Sequence, residues 1–253
     1  MKIIISPAKK MIVEREAFPV LSTPQLIPEA EILLKHLKSC THDQLQKIWV
    51  ASDKIVAEGQ RQLEAFSFTD NLTPAVIAYQ GIQYQYMAAD VMTKPALQYL
   101  QDHVCILSGL YGVLRPFDGV SPYRLEVKNK LLGYKDSNLY HFWGNKAADL
   151  VFKDDDLVIN LASKEYSKMV SPYVHGSRKM IAIDFEERKA GQWKMVGVHA
   201  KMARGAMTQF LAETQVHDLD TLRTFNDFGF KYIPEASTET NYVFRTEHDF
   251  KRR

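Results

Sequence analysis

The side chains best suited to acid–base chemistry lie after two short apolar runs and within one Gly- and Pro-rich segment. The candidate catalytic residues are Ser6, Lys9, Glu126, Ser163, Glu165 and Tyr166. Open α/β sheets bind ligands outside the carboxyl ends of their strands, so residues that follow two buried strands can converge. A lysine and a carboxylate held together can act as acid and base on an unpaired nucleobase. The alternative is a structural ion-pair network, which gathers the same residue types.

Positive charge clusters in two segments of a chain whose formal net charge is only +2. Residues 108–135 contain five Lys or Arg against two carboxylates, and residues 191–212 contain three Lys or Arg and no carboxylate. If the two segments meet in the fold, they form one basic cleft that can bind the phosphates of DNA. The alternative is that they are two separate solvated faces.

Residues 107–127 concentrate Gly and Pro residues that can form turns. Gly109 and Gly112 can adopt positive φ or let another backbone approach closely, and a turn built on them can present N–H groups to an anion. Farther along, residues 123–127 alternate like a half-buried strand, which places Arg124 and Glu126 on one face. A purely structural Gly-rich turn is the alternative explanation of this segment.

The hydrophobic periodicity predicts a mixed α/β fold in a single domain spanning residues 1–253. Strands are predicted at 2–6, 75–80, 103–107 (or the end of a buried helix there) and 157–161, with a hairpin at 179–199 and late strands at 228–230 and 242–244. Helices are predicted at 28–39, 41–50, 52–66, 93–103, 138–153, 163–166, 200–214 and 218–225. If strands 2–6 and 157–161 are neighbours, the candidate catalytic residues meet at one edge of the sheet.

Composition and motifs argue against several function classes. Cys40 and Cys105 lie far apart, which disfavours a disulfide scaffold or a zinc site. The eight histidines show no H-E-x-x-H pattern, so no stoichiometric metal is expected. Walker A and G-x-G-x-x-G patterns are missing, and no cofactor is predicted. Without a signal peptide or an apolar run of about 20 residues, the chain is expected to be cytoplasmic and not to span a membrane.

The segment SGLYGVLRPFD followed by PYRLE resembles the YaaA family of peroxide-stress resistance proteins. Further matching motifs occur in family order along nearly the full chain: ISPAK (5–9), SDK (52–54), LY.FWG (139–144), NLAS.EY (160–166) and K.ARG.M (201–207). The resemblance implies a cytoplasmic DNA-binding protein that is linked to oxidative-stress defence and iron control. It also implies an unusual α/β "cantaloupe" fold with a basic cleft and a helix-hairpin-helix-like element.

Together, the resemblance and the charge pattern predict a protein that binds duplex or structured DNA. The expected DNA-binding residues are Lys9, Gly109, Tyr111, Gly112, Arg115, Arg124, Lys201 and Arg204. Sequence preference is expected to be weak, because phosphate contacts position a protein without reading bases. The alternatives are a nucleobase- or nucleotide-directed enzyme that uses the candidate catalytic residues, and a protein that binds an undetermined small ligand.

Overall fold

The computed structural model describes residues 1–135, 137–248 and 250, and within them it assigns twelve β-strands. In chain order the strands are β1 (Lys2–Ile5), β2 (Lys10–Met11), β3 (Thr73–Pro74), β4 (Tyr79–Gln80), β5 (Val104–Ser108), β6 (Gly112–Leu114), β7 (Gly119–Val120), β8 (Leu157–Leu161), β9 (Lys179–Lys189), β10 (Gln192–Lys194), β11 (Lys231–Tyr232) and β12 (Asn241–Thr246).

Helices of very different length connect these strands. In chain order they are α1 (Ile27–Ser39), α2 (His42–Trp49), α3 (Asp53–Ala65), α4 (Ala75–Ala78), α5 (Ile82–Met87), α6 (Lys94–His103), α7 (Leu139–Trp143), α8 (Lys146–Val151), α9 (Lys164–Ser167), α10 (Gly197–Glu213) and α11 (Leu219–Leu222). Short 3-10 turns occur at Ala89–Val91, Ser171–Tyr173, Asp227–Gly229 and Pro234–Ala236.

The main sheet has the order β11-β12-β9-β8-β1-β5-β6, and β10 pairs with β9 as a hairpin. The five strands from β12 to β5 are parallel, and the flanking strands β11 and β6 are antiparallel to their neighbours. Strand β5 lies on one side of β1, and β8, the next strand of the main sheet after the β5–β6 hairpin, lies on the other side. The winding direction therefore reverses between β1 and β8, and such a point is where open α/β sheets form ligand crevices.

Burial explains why the apolar runs form the middle of this sheet. Ile3, Ile4 and Ile5 have no exposed surface, which is typical of a parallel strand covered on both faces. Their side chains belong to one continuous hydrophobic core that extends from the N-terminal helices to β12. Within the part of the chain that the structure describes, no helix has the length and apolar character needed to cross a membrane.

Local sequence signals set several helix starts. Thr41 and Gln44 form the predicted capping box at α2, in which each side chain accepts a hydrogen bond from the other residue's backbone N–H. Ser163 caps α9 by accepting from the Tyr166 N–H at 3.4 Å. Asp218 caps α11 by accepting from the Thr221 N–H at 2.8 Å. These starts are confirmed because each depends on residues that are close in sequence.

Tertiary contacts override the prediction of a strand at 75–80. Residues Ala75–Ala78 form helix α4, and only Tyr79–Gln80 is extended. The N–H groups of Ala75 and Val76 donate to the carbonyl oxygens of Asp118 and Pro116 at 2.9 and 2.8 Å. The 116–118 segment therefore sets the backbone here, although the composition favours a strand.

Other differences concern boundaries and pairing. The predicted helix at 138–153 is divided into α7 and α8 at Gly144, whose φ is +51°. Helix α10 begins at Gly197 instead of Ala200. Residues 227–229 form a 3-10 turn where a strand is predicted, because Phe228 has a φ of +55°. Residues 123–127 show the predicted alternation of burial, but they pair with no strand in the described chain.

Candidate functional site

A cleft of about 500 Å³ opens at the carboxyl ends of β1 and β8. We call it the main cleft. It is lined by residues from segments 6–10, 80–84, 123–128 and 163–166, together with Lys201 and Arg204 of α10. The position matches the winding reversal of the sheet, and the volume lies within the roughly 300–1,000 Å³ of small-molecule sites.

Two serines join the strand ends at the base of the main cleft. The backbone N–H of Ser163 donates to Ser6 Oγ at 2.8 Å, and Ser6 Oγ donates to Ser163 Oγ at 3.3 Å. Because Ser163 Oγ also accepts from the first turn of α9, its hydroxyl is held in one orientation. These contacts fix the end of β1 against the end of β8, so both serines position the cleft.

A network of two carboxylates and two lysines crosses the main cleft. Glu126 accepts from Lys9 Nζ at 3.0 Å and from Lys128 Nζ at 3.2 Å, and Lys128 also reaches Glu165 at 3.2 Å. The Glu165 carboxylate, followed by Glu126, raises the pKa of Lys128, which keeps this lysine protonated at neutral pH. The network connects the 123–128 segment to the end of β1 and to α9.

Two arginines that line the main cleft carry buried, unpaired donors. The Nε atoms of Arg124 and Arg204 are buried, and neither has a hydrogen-bond partner among the described residues. Burial lowers the pKa of Arg204, and the charge of Asp184 opposes this effect, but guanidinium groups stay protonated in proteins. Buried unpaired donors are costly, and an anion can satisfy them.

Helix α10 reaches the cleft because Gly205 lets it pack closely against α5. A Cβ atom at this position would lie 2.2 Å from the carbonyl oxygen of Gln83 and 3.0 Å from the backbone nitrogen of Met87. Only glycine permits this backbone approach. The close contact places Lys201 and Arg204 opposite the 123–128 segment, so the two basic segments meet.

Tyrosines form the floor of the main cleft. Tyr84 donates to the backbone oxygen of Ser6 at 2.9 Å, and the Tyr123 hydroxyl lies 2.8 Å from the Tyr79 hydroxyl and 2.7 Å from Ser108 Oγ. Burial raises the pKa of Tyr123 to about 12, and it also raises the pKa values of Tyr84 and Tyr166. All three are neutral at physiological pH, so the floor is uncharged and largely aromatic.

A second cavity of about 320 Å³ adjoins the main cleft. Helix α3 forms one wall with Ile55, Glu58, Gly59 and Gln62, and Met11 also contributes. The other wall consists of Lys9, Lys10 and Arg124, which line the main cleft as well. The two cavities therefore share these three cationic side chains, which we call the shared ridge.

The structure brings most of the sequence-predicted site residues together. The residues lining the main cleft include Ser6, Lys9, Arg124, Glu126, Ser163, Glu165, Tyr166, Lys201 and Arg204. Sequence reasoning did not select Lys10, Tyr84 and Tyr123 as site residues. Lys10 can be selected from the sequence because it is adjacent to Lys9. The two tyrosines give no comparable signal, since buried aromatic residues usually belong to a core.

The predicted anion-binding turn at 109–112 lies elsewhere. Gly109, Tyr111 and Gly112 are buried in the β5–β6 hairpin, where the Tyr111 N–H already donates to Ser108 Oγ at 2.9 Å. A Cβ atom on Gly109 would lie 2.4 Å from the Leu125 carbonyl oxygen, so this glycine serves close packing. Strands flank the turn, and it is therefore not a helix-hairpin-helix-like element.

Arg115, the remaining predicted DNA-binding residue, does not line the main cleft. Its guanidinium lies 3.2 Å from a carboxylate oxygen of Asp118, whose side chain is 1% exposed. The backbone N–H of Arg115 donates to the same carboxylate at 2.8 Å. This arginine neutralises a buried acid within its own turn.

The described residues contain no group of three His, Cys, Asp or Glu side chains that could hold a metal ion. The lack of a stoichiometric metal stays a prediction for elemental analysis of the purified protein.

Comparison with known proteins identifies the family. The family described as "Peroxide stress protein YaaA" matches residues 1–236. The chain belongs to this family. It is 54% identical over 252 residues to a UPF0246 protein of Lactobacillus acidophilus and 55% identical over 252 residues to one of Lactobacillus helveticus, with both chains fully covered in each case. A UPF0246 protein of Lachnoclostridium phytofermentans is 41% identical over 244 residues, which is 96% of each chain.

Proposed function

We propose that this protein binds DNA through the main cleft and that this binding protects DNA during peroxide stress. The charge of the cleft is the observation that best supports this proposal. Six cationic side chains, Lys9, Lys10, Arg124, Lys128, Lys201 and Arg204, line it against two carboxylates, Glu126 and Glu165. On a chain with a formal net charge of only +2, this local excess favours a polyanionic ligand.

Four of the six cations are available for phosphates. Lys9 and Lys128 are occupied by the two carboxylates of the cleft. In contrast, Lys10, Arg124, Lys201 and Arg204 have no carboxylate within 4.0 Å in the described part of the chain. Contacts of this kind fix a strand in place without reading bases, so the proposed binding has little sequence preference.

Family membership supports the peroxide part of the proposal. The family is described as a family of peroxide stress proteins. A cleft that binds DNA gives a small protein one way to limit peroxide damage to DNA. The proposal includes lower free iron and less DNA damage in cells that contain the protein. Its cellular test is peroxide survival of cells with the wild-type protein compared with cells that carry a cleft variant.

Salt-dependent binding tests the DNA proposal directly. With four phosphate contacts, log K for a labelled duplex should fall with log[salt] at a slope of about −3.6. The variant Lys201→Ala should make that slope shallower by about 1. Fluorescence anisotropy over a salt series measures both quantities.

Lys35→Ala is the matched control, because Lys35 is also exposed on a helix but lines neither cavity. Its slope should equal that of the wild type. Binding that does not depend on salt, or no binding by a folded sample at low salt, contradicts the proposal.

A nucleotide-directed enzyme is the second candidate. The observation that favours it is the position of Glu126 and Glu165 in the same cleft as the cations, with side chains 14% and 28% exposed. A carboxylate beside a lysine can exchange a proton with a bound base. Turnover of nucleotides or of DNA by the wild type, and its loss in Glu165→Gln with binding retained, would support this candidate.

A further inference from the structure

We propose that the second cavity is a separate phosphate subsite, so that the ligand of this site spans at least two nucleotide units. The inference rests on the proposed function and specifies its substrate class as an oligonucleotide strand. It also assigns Glu58 of α3 as a residue that weakens binding at this subsite.

The main cleft and the second cavity share part of their lining. Lys9, Lys10 and Arg124 line both the main cleft and the second cavity. A ligand bound to this shared ridge therefore faces one space on each side. The space beside α3 measures about 320 Å³, which is at the lower end of the roughly 300–1,000 Å³ found for ligand sites. A single nucleotide in the main cleft leaves it unused.

The linings of the main cleft and of the second cavity differ in their chemistry. The main cleft combines cations with an uncharged floor that includes Ile82, Tyr84, Tyr123 and Leu125. Such an uncharged, largely apolar lining suits a nucleobase, because bases pack against aromatic and apolar side chains. The main cleft therefore fits a whole nucleotide and not only a phosphate.

The second cavity is more polar than the main cleft. Its lining contains three cations, Gln62 and the single carboxylate of Glu58. The buried Nε of Arg124 lacks a partner among the described residues. With Lys9 paired to Glu126, the cavity keeps Lys10 and Arg124 against the single carboxylate of Glu58, and this excess positive charge suits a phosphate of the same strand.

Replacement of Glu58 tests the phosphate subsite without disturbing the fold. Its side chain is exposed and makes no salt bridge within the described chain, so a neutral replacement removes only its charge. A phosphate in the second cavity is repelled by this carboxylate, whereas a nucleotide confined to the main cleft is farther from it. The variant Glu58→Gln should therefore strengthen binding of longer ligands selectively.

The experiment compares unlabelled thymidine ligands that compete with a fluorescein-labelled hexathymidylate. The competitors are dTMP, with one phosphate, and 5′-phosphorylated dithymidylate, with two. The two-phosphate ligand should bind at least tenfold more tightly than dTMP to the wild type. Glu58→Gln should raise the affinity of the two-phosphate ligand about threefold and leave that of dTMP unchanged, as expected for one exposed charge.

Two further variants complete the design. Glu64→Gln removes an exposed carboxylate from the same helix outside the cavity, and it should leave both affinities unchanged. Gln62→Trp fills the second cavity, and it should reduce the affinity of the two-phosphate ligand to that of dTMP while dTMP still binds. Retained dTMP binding shows that this variant is folded.

The outcomes separate the inference from the proposed function. If hexathymidylate binds but dTMP and the two-phosphate ligand compete equally, the phosphate subsite is refuted and DNA binding stands. The same holds if Glu58→Gln strengthens both ligands alike. If neither hexathymidylate nor a duplex binds at low salt, the proposed function is refuted and the inference with it.

Discussion

Replacement of Gly205 by alanine tests the packing that brings α10 to the main cleft. A Cβ atom there would lie 2.2 Å from the Gln83 carbonyl oxygen, 2.8 Å from Tyr86 Cβ and 3.0 Å from the Met87 nitrogen. Two of these three atoms belong to the α5 backbone and cannot rotate away. Helices α5 and α10 must therefore move apart for the methyl group to fit.

Two opposing effects determine the size of the change. Alanine is favoured over glycine inside a helix by about 1 kcal/mol. Overpacking of a close contact costs about 1–3 kcal/mol, and occasionally more. Because the shortest distance is well below the 3.4 Å of an ordinary contact, we place the cost above that range. The expected net loss is at least about 2 kcal/mol, which lowers the Tm of a chain of this size by at least roughly 4 °C.

Differential scanning fluorimetry measures the stability change, and DNA anisotropy measures the effect on the site. The displaced helix carries Lys201 and Arg204, so folded Gly205→Ala protein should also bind DNA more weakly. Gly197→Ala is the matched control, since a Cβ atom at this first residue of α10 meets no described atom within 4 Å. A Gly205→Ala variant as stable as the wild type would refute the packing argument.

Two other predictions concern buried polar groups. Arg115→Ala should lower the free energy of unfolding by about 1–3 kcal/mol in urea titrations, because Asp118 loses its charged partner, and it should not change the salt slope of DNA binding. The stability of the wild type should fall as the pH rises from 10 to about 12, by up to about 1.4 kcal/mol per pH unit for Tyr123 alone. The sign follows because Tyr123 stays neutral in the folded state while the unfolded chain ionises at its ordinary pKa of 10. Tyr123→Phe should show a shallower loss, and equal pH profiles would contradict the assignment.

The sequence by itself determined the features that depend on neighbouring residues. Ile3 to Ile5 form a buried strand because a run of β-branched apolar residues suits a parallel sheet covered on both faces. Thr41 and Gln44 cap α2, and the hairpin turns at Ala190 and Gly191, both with positive φ. The alternation of burial at 123–127 follows from the period of two of an extended chain. The family motifs are also a property of the sequence alone, and they identified the family.

Only the tertiary structure decided which of the charged residues form a site. Arg115 and Arg124 look alike in the sequence, but one neutralises the buried Asp118 while the other lies between two cavities. Gly109 and Gly112 look like an exposed anion-binding turn, yet the turn is buried under the 125–127 backbone and Trp143. Helix α10 meets the 123–128 segment only because α5 accepts the backbone of Gly205. In each case the deciding partner is far away in sequence, and burial and ion pairing depend on distances in space that no local pattern encodes.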